Sequence, residues 1–301
     1  MDAKTLFLAT RPWSFTMTFS SVTVGTLVAY LAKGTVSPLL YLLVLLGMIA
    51  FHAATNLIND FYDVKHEVDR MGAPTTKYRP HPVAAGAEPA GTIRLWSAAF
   101  YGLTLLAALY LSFMSSPLVL VLVAIGVLGS FLYTADPVVL KAKGLGEVTV
   151  FLMWGPLVPL GAYLVQTGTF SVAPVVVSLP VGILVAEVLL ANNIRDIDYD
   201  GSVGMKTVPV LAGKSGGVAL YKTLLFAAYA FIPVSVLLGL IPLWSLIVLL
   251  TLPEAMGLSR MFAGDIPDNA DPRTAGLAFK FSLLYIASLV LQAFYHLTLS
   301  L

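Results

Sequence analysis

Long apolar stretches, separated by short polar connections, run through almost the whole sequence. About nine of them approach the roughly 20 residues that a helix needs to cross the hydrocarbon core of a bilayer. Strand-like alternation is absent, and backbone amides in lipid must be satisfied internally, so the pattern predicts an all-α polytopic membrane bundle. The predicted spans are residues 12–32, 36–59, 93–114, 116–134, 147–168, 171–194, 217–240, 242–262 and 277–300.

Composition narrows the class further. Hydrophobic residues make up 58% of the 301 residues and charged residues only 11%, whereas a soluble domain carries about 25% charged residues. A soluble domain and a disordered chain are both excluded. The net charge of +1 predicts no nucleic-acid partner, and no protein partner is predicted. The absence of cysteine excludes disulfides and thiolate metal sites. No linker is evident, so residues 1–301 are predicted to form one membrane domain.

The basic residues predict the orientation of the chain. With nine spans, all of the 17 Lys and Arg residues except Lys33 fall on the same side as the N-terminus. Cytoplasmic connections carry such an excess, so we expect the N-terminus to face the cytoplasm, in a multi-pass protein of the cell membrane. The start of the sequence lacks the pattern of a cleaved signal, so the first span is expected to be retained. The long connections, 60–92 and 195–216, lie on this side and are the expected place for function.

Acidic and amide residues concentrate at the cytoplasmic ends of the second and sixth spans. Asn56 and Asp60 at the first end share the pattern Asn-x-x-x-Asp with Asn192 and Asp196 at the second. Because four spans separate the two segments, both have the same orientation in the membrane. The match indicates a weak internal repeat that relates helices one to four to helices five to eight.

Helical spacing places each group of polar residues on one face of its helix. Carboxylates about 4 Å apart repel each other by about 4 kcal/mol at an effective dielectric of about 20, so they take up protons or bind cations. Hard oxygen ligands of this kind suit Mg²⁺, which also binds the phosphate oxygens of substrates. The predicted metal ligands are Asp60, Asp63, Glu67, Asp196 and Asp200.

Charged residues near both groups extend the candidate site. Basic side chains beside metal-binding carboxylates are a common way to hold polyphosphates, which favours Arg79 after the first group and Lys206 after the second. Arg195 lies inside the second group and is either a phosphate ligand or the structural partner of Asp198 or Asp200. Glu187 falls inside a span, where a charge costs at least about 2.5–3.5 kcal/mol, so it is expected to face the bundle interior.

These motifs resemble those of the UbiA superfamily of intramembrane prenyltransferases. Asn59-Asp60-x-x-Asp63 is similar to the first motif of that family and Asp196-x-x-x-Asp200 to the second. Further stretches resemble the branch that prenylates 1,4-dihydroxy-2-naphthoate for menaquinone synthesis. They are Tyr133-Thr134, Lys141 to Glu147, and Asn192-Asn193-x-Arg195-Asp196 with Glu187 before it. The sequence departs from the family at Glu67, where an Asp is usual, and in the next loop, where either Arg79 or His81 fits the family pattern.

The resemblance implies helices around a central cavity with cytoplasmic caps, a polyprenyl diphosphate donor, a small aromatic or polar acceptor, and two Mg²⁺ ions. The catalytic residues that it implies are Asp60, Asp63, Asp196, Asp200, Arg195 and Lys206. The implied substrate-binding residues are Asn56, Asn59, Asn192, Asn193, Arg79, Lys141, Tyr133 and Glu187.

Two other functions fit the same sequence. The archaeal enzyme that geranylgeranylates a glyceryl phosphate ether shares the family motifs. A cation-coupled transporter also combines parallel repeats with intramembrane acids, but it is expected to carry those acids near the middle of the bilayer. In this sequence the acids lie at the ends of the spans.

Overall fold

The computed structural model describes residues 1–78 and 81–299 and shows a bundle of membrane-length helices. Within these residues, the helices that follow the predicted spans are numbered α1 to α9. They are Phe15–Lys33, Pro38–Lys65, Ala90–Met114, Leu118–Thr134, Gly146–Thr167, Ala173–Arg195, Val208–Leu237, Leu243–Met261 and Ala270–Leu299. Shorter helices at Ala3–Ala9, Pro74–Tyr78 and Ile197–Ser202 lie in the connections.

The predicted all-α membrane bundle is confirmed. Eight of the described helices are long and apolar enough to cross a membrane, and α4 is a shorter apolar helix of 17 residues at the position of the fourth predicted span. The residues that the structure describes contain no β-strand, only one isolated bridge between Lys143 and Lys206. The chain is therefore a multi-pass membrane protein.

Two helices begin seven or more residues earlier than predicted. Helix α7 begins at Val208 rather than 217, and α9 begins at Ala270 rather than 277. Both extensions carry charged residues, which lower hydropathy without breaking a helix. Proline at the second position of α7 is compatible with a helix start. A bend at Gly213, with φ of 75°, separates the first five residues of α7 from the rest of the helix. The predicted end of the last span, residue 300, lies outside the described residues.

The helices pack as a closed ring. Helix α2 packs against α3, α6 against α7, and α9 contacts α8, α6 and α1, so that the last helix meets the first. The largest apolar core lies among α1 and α5–α9, around Tyr221, Phe281 and Tyr285. A smaller core joins α1 to α2–α5 around Val22 and Leu164. The polar ends of α2 and α6 lie at the same end of the ring.

Helix α5 is interrupted in its middle. Residues Met153–Leu157 form a π-helical turn that contains Pro156, and α-helix resumes at Val158. Such turns occur most often at functional sites. Here the turn places Met153 and Trp154 on the wall of the central cavity.

The π-turn also lies unusually close to α6. A methyl group added to Gly182 would overlap the Cα atom of Gly155 and lie 2.9 Å from its backbone nitrogen. We therefore expect Gly182→Ala to lower the free energy of unfolding by about 1–3 kcal/mol, because the two backbones must separate. Thermal denaturation in detergent measures this loss.

Gly257→Ala is the matched control. Gly257 is also helical, but no atom of its surroundings lies within 4 Å of an added methyl group. Alanine is a better helix former by about 1 kcal/mol, so this variant is expected to be as stable as the parent or slightly more stable. Equal stability of the two variants would contradict the proposed close contact.

Candidate active site

The polar ends of α2 and α6 meet in space although they are remote in sequence. The hydroxyl of Tyr199, after α6, donates a hydrogen bond of 2.6 Å to the carbonyl of Val68, after α2. The backbones of Lys143 and Lys206 pair at the same end of the bundle. The two connections that carry the candidate residues are thus held together by direct contacts.

A cavity of about 310 Å³ opens between these connections. Its polar wall includes three residues of α2, two of α6, the residue directly after α6 and one of the helix Ile197–Ser202. They are Asn56, Asn59, Asp63, Asn192, Asn193, Asp196 and Asp200. Deeper in the bundle the wall becomes apolar, with Phe51, Met153 and Trp154. The cavity therefore combines a polar mouth with an apolar interior.

A second, apolar chamber of about 80 Å³ adjoins the cavity between α2, α3, α4 and α5. The two spaces share Phe51, Gly126, Met153 and Trp154 in their walls. Gly126 has no side chain, and a methyl group there would lie 3.5 Å from the ring of Phe51. Gly126 therefore lies at the boundary between the two spaces, where a larger side chain would contact Phe51.

Lys141 neutralises the carboxylate of Asp63. Its ammonium group contacts Asp63 and donates a hydrogen bond of 2.6 Å to the amide oxygen of Asn59. Asn59 in turn donates to Asp63 at 2.7 Å. Lys141 and Asp63 are both buried, and the ammonium lies 5.8 Å from the ring centre of Tyr133, another cavity residue. The side chains predicted at this end of α2 and before α5 thus form one cluster.

Asp60 lies beside the cavity rather than on its wall. Its carboxylate is fully buried and accepts a hydrogen bond from the guanidinium of Arg11, which does line the cavity. The backbone of Arg11 is left-handed, with φ of 55°, a conformation that costs of order 1–3 kcal/mol in a residue other than glycine. The hydroxyl of Ser14 holds this turn by donating to the Arg11 carbonyl at 2.7 Å.

His81 orients Asp69, a carboxylate that the sequence did not single out. The backbone N–H of Ala84 donates to Nδ1 of His81 at 3.2 Å, so Nε2 carries the ring proton and donates to Asp69 at 3.1 Å. Asp60, Asp69 and His81 place possible metal-binding atoms within 4.8 Å of one another. In this hydrogen-bonding pattern, however, the Nε2 atom is a donor to a carboxylate and offers no lone pair to a cation.

Arg195 is held by carboxylates on two helices. It donates to both oxygens of Asp196, at 2.7 and 2.8 Å, to the amide oxygen of Asn192 at 2.8 Å, and to Asp271 at the start of α9. The predicted alternative, a pair with Asp198 or Asp200, is therefore wrong. Arg195 instead connects the end of α6 to α9 next to the cavity.

Asp200 is the remaining carboxylate of the second group, and its ionised form is electrostatically unfavourable. The pKa of Asp200 is raised to about 7, mainly by burial and in addition by the nearby carboxylates of Asp196 and Asp63. The influence of Asp63 shows that the two groups, one from each half of the chain, act on each other. A cation among these oxygens would relieve the repulsion.

The donor set fits Mg²⁺. Asp63, Asp196 and Asp200 offer carboxylate oxygens to the cavity, Asn56 offers an amide oxygen, and the cavity leaves space for water and phosphate oxygens. Hard oxygen donors with room for water are what Mg²⁺ prefers.

Two predicted residues lie elsewhere. Helix α2 ends at Lys65, so Glu67 does not continue the helical face; it has φ of 58° and is exposed. The N–H groups of Val68 and Asp69 instead donate to the carbonyl of Asp63. Glu67 does not line the cavity, so the prediction that it is a metal ligand is not supported. Lys206 is also exposed and does not line the cavity, so its predicted catalytic contact is not supported.

Glu187 and Arg79 complete the account of the predicted residues. Glu187 is fully buried but does not line the cavity, because it lies nine residues before Asp196 and thus on the opposite side of α6, towards Tyr221 and Tyr229 of α7. The prediction that it binds substrate is corrected accordingly. Arg79 lies outside the described residues.

Sequence reasoning missed three residues that contact the site. Arg11 is a basic residue directly before the first predicted span, which is a usable signal for a contact at this end of the bundle. Asp69 lies off the helical face that Asn56, Asp60 and Asp63 share, so helical spacing does not indicate it. Asp271 lies in a part of the sequence that shows little beyond hydropathy, and no local signal indicated its contact with Arg195.

Comparisons with known proteins agree with this geometry. The sequence model of the UbiA prenyltransferase family matches residues 18–291. UbiA prenyltransferase domain-containing protein 1 of Rattus norvegicus is 32% identical over 287 residues, which cover 94% of this chain and 82% of the relative.

Two solved structures share the fold. A UbiA homologue from Archaeoglobus fulgidus bound to DMAPP and Mg²⁺ has a TM-score of 0.69 at 18% identity, over 94% of this chain and 99% of the other. A structure described as digeranylgeranylglyceryl phosphate synthase has a TM-score of 0.65 at 18% identity, over 96% and 98% of the two chains.

Proposed function

The chain belongs to the UbiA prenyltransferase family, and we propose that it transfers a polyprenyl group from a polyprenyl diphosphate to a hydroxylated aromatic acceptor, 1,4-dihydroxy-2-naphthoate of menaquinone synthesis. One observation carries the proposal. Two groups of oxygen ligands with basic partners meet at the mouth of a cavity whose interior is apolar. That arrangement suits a ligand with a diphosphate head and a hydrocarbon tail.

The polar mouth would hold the diphosphate through Mg²⁺. Asp63, Asp196 and Asp200 lie on the cavity wall and Asp60 lies beside it, so these residues would hold two Mg²⁺ ions. When bound, the metal would supply positive charge that stabilises the departing diphosphate. The A. fulgidus structure bound to DMAPP and Mg²⁺ supports this assignment.

Basic side chains would stabilise the same negative charge. Lys141 and Arg11 both line the cavity, and each contacts a carboxylate that would also bind the metal. Preorganised charges of this kind stabilise a developing anion without reorganisation during the reaction. As the allylic C–O bond breaks and diphosphate leaves, an electron-rich ring carbon of the acceptor would bond to the allylic carbon. Loss of the ring carboxyl group as carbon dioxide would then restore the aromatic ring.

The apolar interior would receive the tail and exclude water. Water at the allylic centre would give a prenyl alcohol in place of the product, so a dry cavity protects the transfer. Phe51, Met153 and Trp154 provide this lining. The apolar chamber beyond Gly126 lengthens the space that a hydrocarbon tail can occupy.

Narrowing the passage at Gly126 should change the preference for donor length. We expect Gly126→Leu to lower the rate with long-chain donors about tenfold relative to a five-carbon or ten-carbon donor, because the new side chain meets Phe51. Competition between donors of defined length measures the ratio. Gly102→Leu is the matched control, since Gly102 is an exposed helical glycine with no atom within 4 Å of an added methyl group. An unchanged ratio in Gly126→Leu would rule out this chamber as the tail site.

The direct test of the function uses purified protein in lipid nanodiscs. We expect release of diphosphate and formation of a prenylated naphthoate product only with Mg²⁺, with loss of both in EDTA and recovery when Mg²⁺ is added back. A panel of dihydroxynaphthoate and glycerol-phosphate acceptors distinguishes the two acceptor classes. Absence of diphosphate release from every donor would contradict the proposal and favour a transporter.

The orientation of the chain is part of the proposal. The site lies at the end of the bundle that carries nearly all of the Lys and Arg residues, which favours a cytoplasmic site in the plasma membrane. The diphosphate donor and a polar acceptor would then reach the cavity from the cytoplasm and the tail from the lipid.

A further inference from the structure

A buried carboxyl group stands directly behind the cavity wall. Glu147, near the start of α5, is only 6% exposed and does not line the cavity. Asn193 of α6 is 7% exposed and does line it. The amide nitrogen of Asn193 donates a hydrogen bond of 2.9 Å to Oε1 of Glu147. The pair therefore spans the wall, with the amide on the cavity side.

This hydrogen bond fixes which atom of the amide faces the cavity. The Oε1 atom accepts from Asn193, so the nitrogen of Asn193 must face Glu147 and its oxygen must face away. The amide oxygen accepts no hydrogen bond from the residues that the structure describes. In contrast, the amide oxygens of Asn59 and Asn192 already accept from Lys141 and Arg195. Asn193 thus presents an oriented acceptor to the cavity.

The surroundings indicate the kind of ligand. Tyr133, Gly146 and Leu189 form the wall nearby, and a methyl group at Gly146 would lie 3.4 Å from Leu189 and 3.7 Å from Tyr133. A diphosphate oxygen would be repelled by the amide oxygen, which carries a partial negative charge. A ligand that donates a hydrogen bond is favoured instead.

We propose that the Asn193 amide oxygen accepts a hydrogen bond from the hydroxyl group of the prenyl acceptor, and that Glu147 is the positioning residue that holds the amide in this orientation. The inference rests on the proposed function and adds the place where the acceptor binds. It assigns the acceptor hydroxyl to the α5 and α6 side of the cavity, and the diphosphate to the carboxylates and basic side chains at its mouth.

The test compares two substitutions of one residue. In Glu147→Leu the amide loses its partner and can rotate, so the KM for the acceptor is expected to rise about tenfold. Glu147→Gln keeps an oxygen that can accept from Asn193, so its KM is expected to stay within about threefold of the parent value. The KM for the donor and the Mg²⁺ concentration for half-maximal rate are expected to be unchanged in both variants. Assays in nanodiscs with dihydroxynaphthoate measure all three quantities.

A second measurement uses the unaltered protein and does not depend on variant folding. An acceptor analogue in which a hydroxyl is replaced by a methoxy group cannot donate, so each monomethyl ether is tested as a competitive inhibitor. We expect one of them to bind about tenfold more weakly than the parent acceptor. In Asn193→Leu that difference is expected to disappear.

Three results would overturn the inference. The first is an unchanged acceptor KM in Glu147→Leu. The second is a change in the Mg²⁺ requirement or the donor KM of that variant instead of a change in its acceptor KM. The third is equal binding of the hydroxyl and methoxy compounds. The second result would assign the Asn193 oxygen to the metal. Failure of the proposed function is distinguishable, because the unaltered protein would then form no prenylated product at all.

Discussion

Asp196→Asn is expected to lower prenyl transfer per folded protein about 10³-fold, while Asp271 still pairs with Arg195. Asp196 lines the cavity at the point where α6 meets the second group of carboxylates. Asparagine keeps the shape and one oxygen but removes the charge that would hold the metal and, through it, the diphosphate. Loss of a single preorganised charge at such a site costs about 10²–10³ in rate, and loss of a metal ligand acts on both substrate binding and ionisation.

Single-turnover assays at saturating donor measure this effect. Asp198→Asn is the matched control, because Asp198 lies two residues away in the same acidic segment but is exposed and does not line the cavity. Its activity is expected to match that of the parent. A fully active Asp196→Asn protein would remove the metal assignment for the second group.

Lys141→Met is expected to lower transfer about 10²-fold. The ammonium group contacts Asp63 and Asn59 and lines the cavity, so its charge lies next to the position proposed for the diphosphate. The substitution also leaves Asp63 buried without its cationic partner, which costs about 3–5 kcal/mol of stability. Activity is therefore compared per folded protein, with the folded fraction measured by size-exclusion chromatography and thermal denaturation.

Lys143→Met provides the control for position and charge. Lys143 belongs to the same loop, but its side chain is exposed. We expect it to retain activity and stability. If both variants lost activity equally, the effect would belong to the loop rather than to the contact of Lys141 with Asp63.

Much of the fold and of the site could be predicted because both depend on local periodicity. The spans are long enough to be identified from hydropathy. A spacing of three or four residues then predicts that the polar residues at the ends of α2 and α6 share a face, and these faces line one cavity. The residues are Asn56, Asp63, Asn192 and Asp196. A polar face at the end of an apolar helix must lie either against a cavity or at the membrane interface. The local pattern therefore restricts where these residues can lie.

The rest depended on where helices end and on contacts between distant segments. The prediction for Glu67 required α2 to continue one more turn, but the chain turns after Lys65 and directs Asp69 inward. The contacts of Arg11 with Asp60 and of Arg195 with Asp271 join residues 49 and 76 positions apart. The pattern of hydrophobic residues along the chain does not indicate either of these contacts.

Acidic and basic side chains are paired at the cavity mouth, so we expect the protein to fold without the metal ion. Arg11 with Asp60, Lys141 with Asp63 and Arg195 with Asp196 balance one another electrically before any ion arrives. A chelator should therefore abolish activity without unfolding the protein. Small zinc domains differ, because their fold depends on their ion. The metal-free protein would remain folded but inactive, and its activity would return when Mg²⁺ is added back.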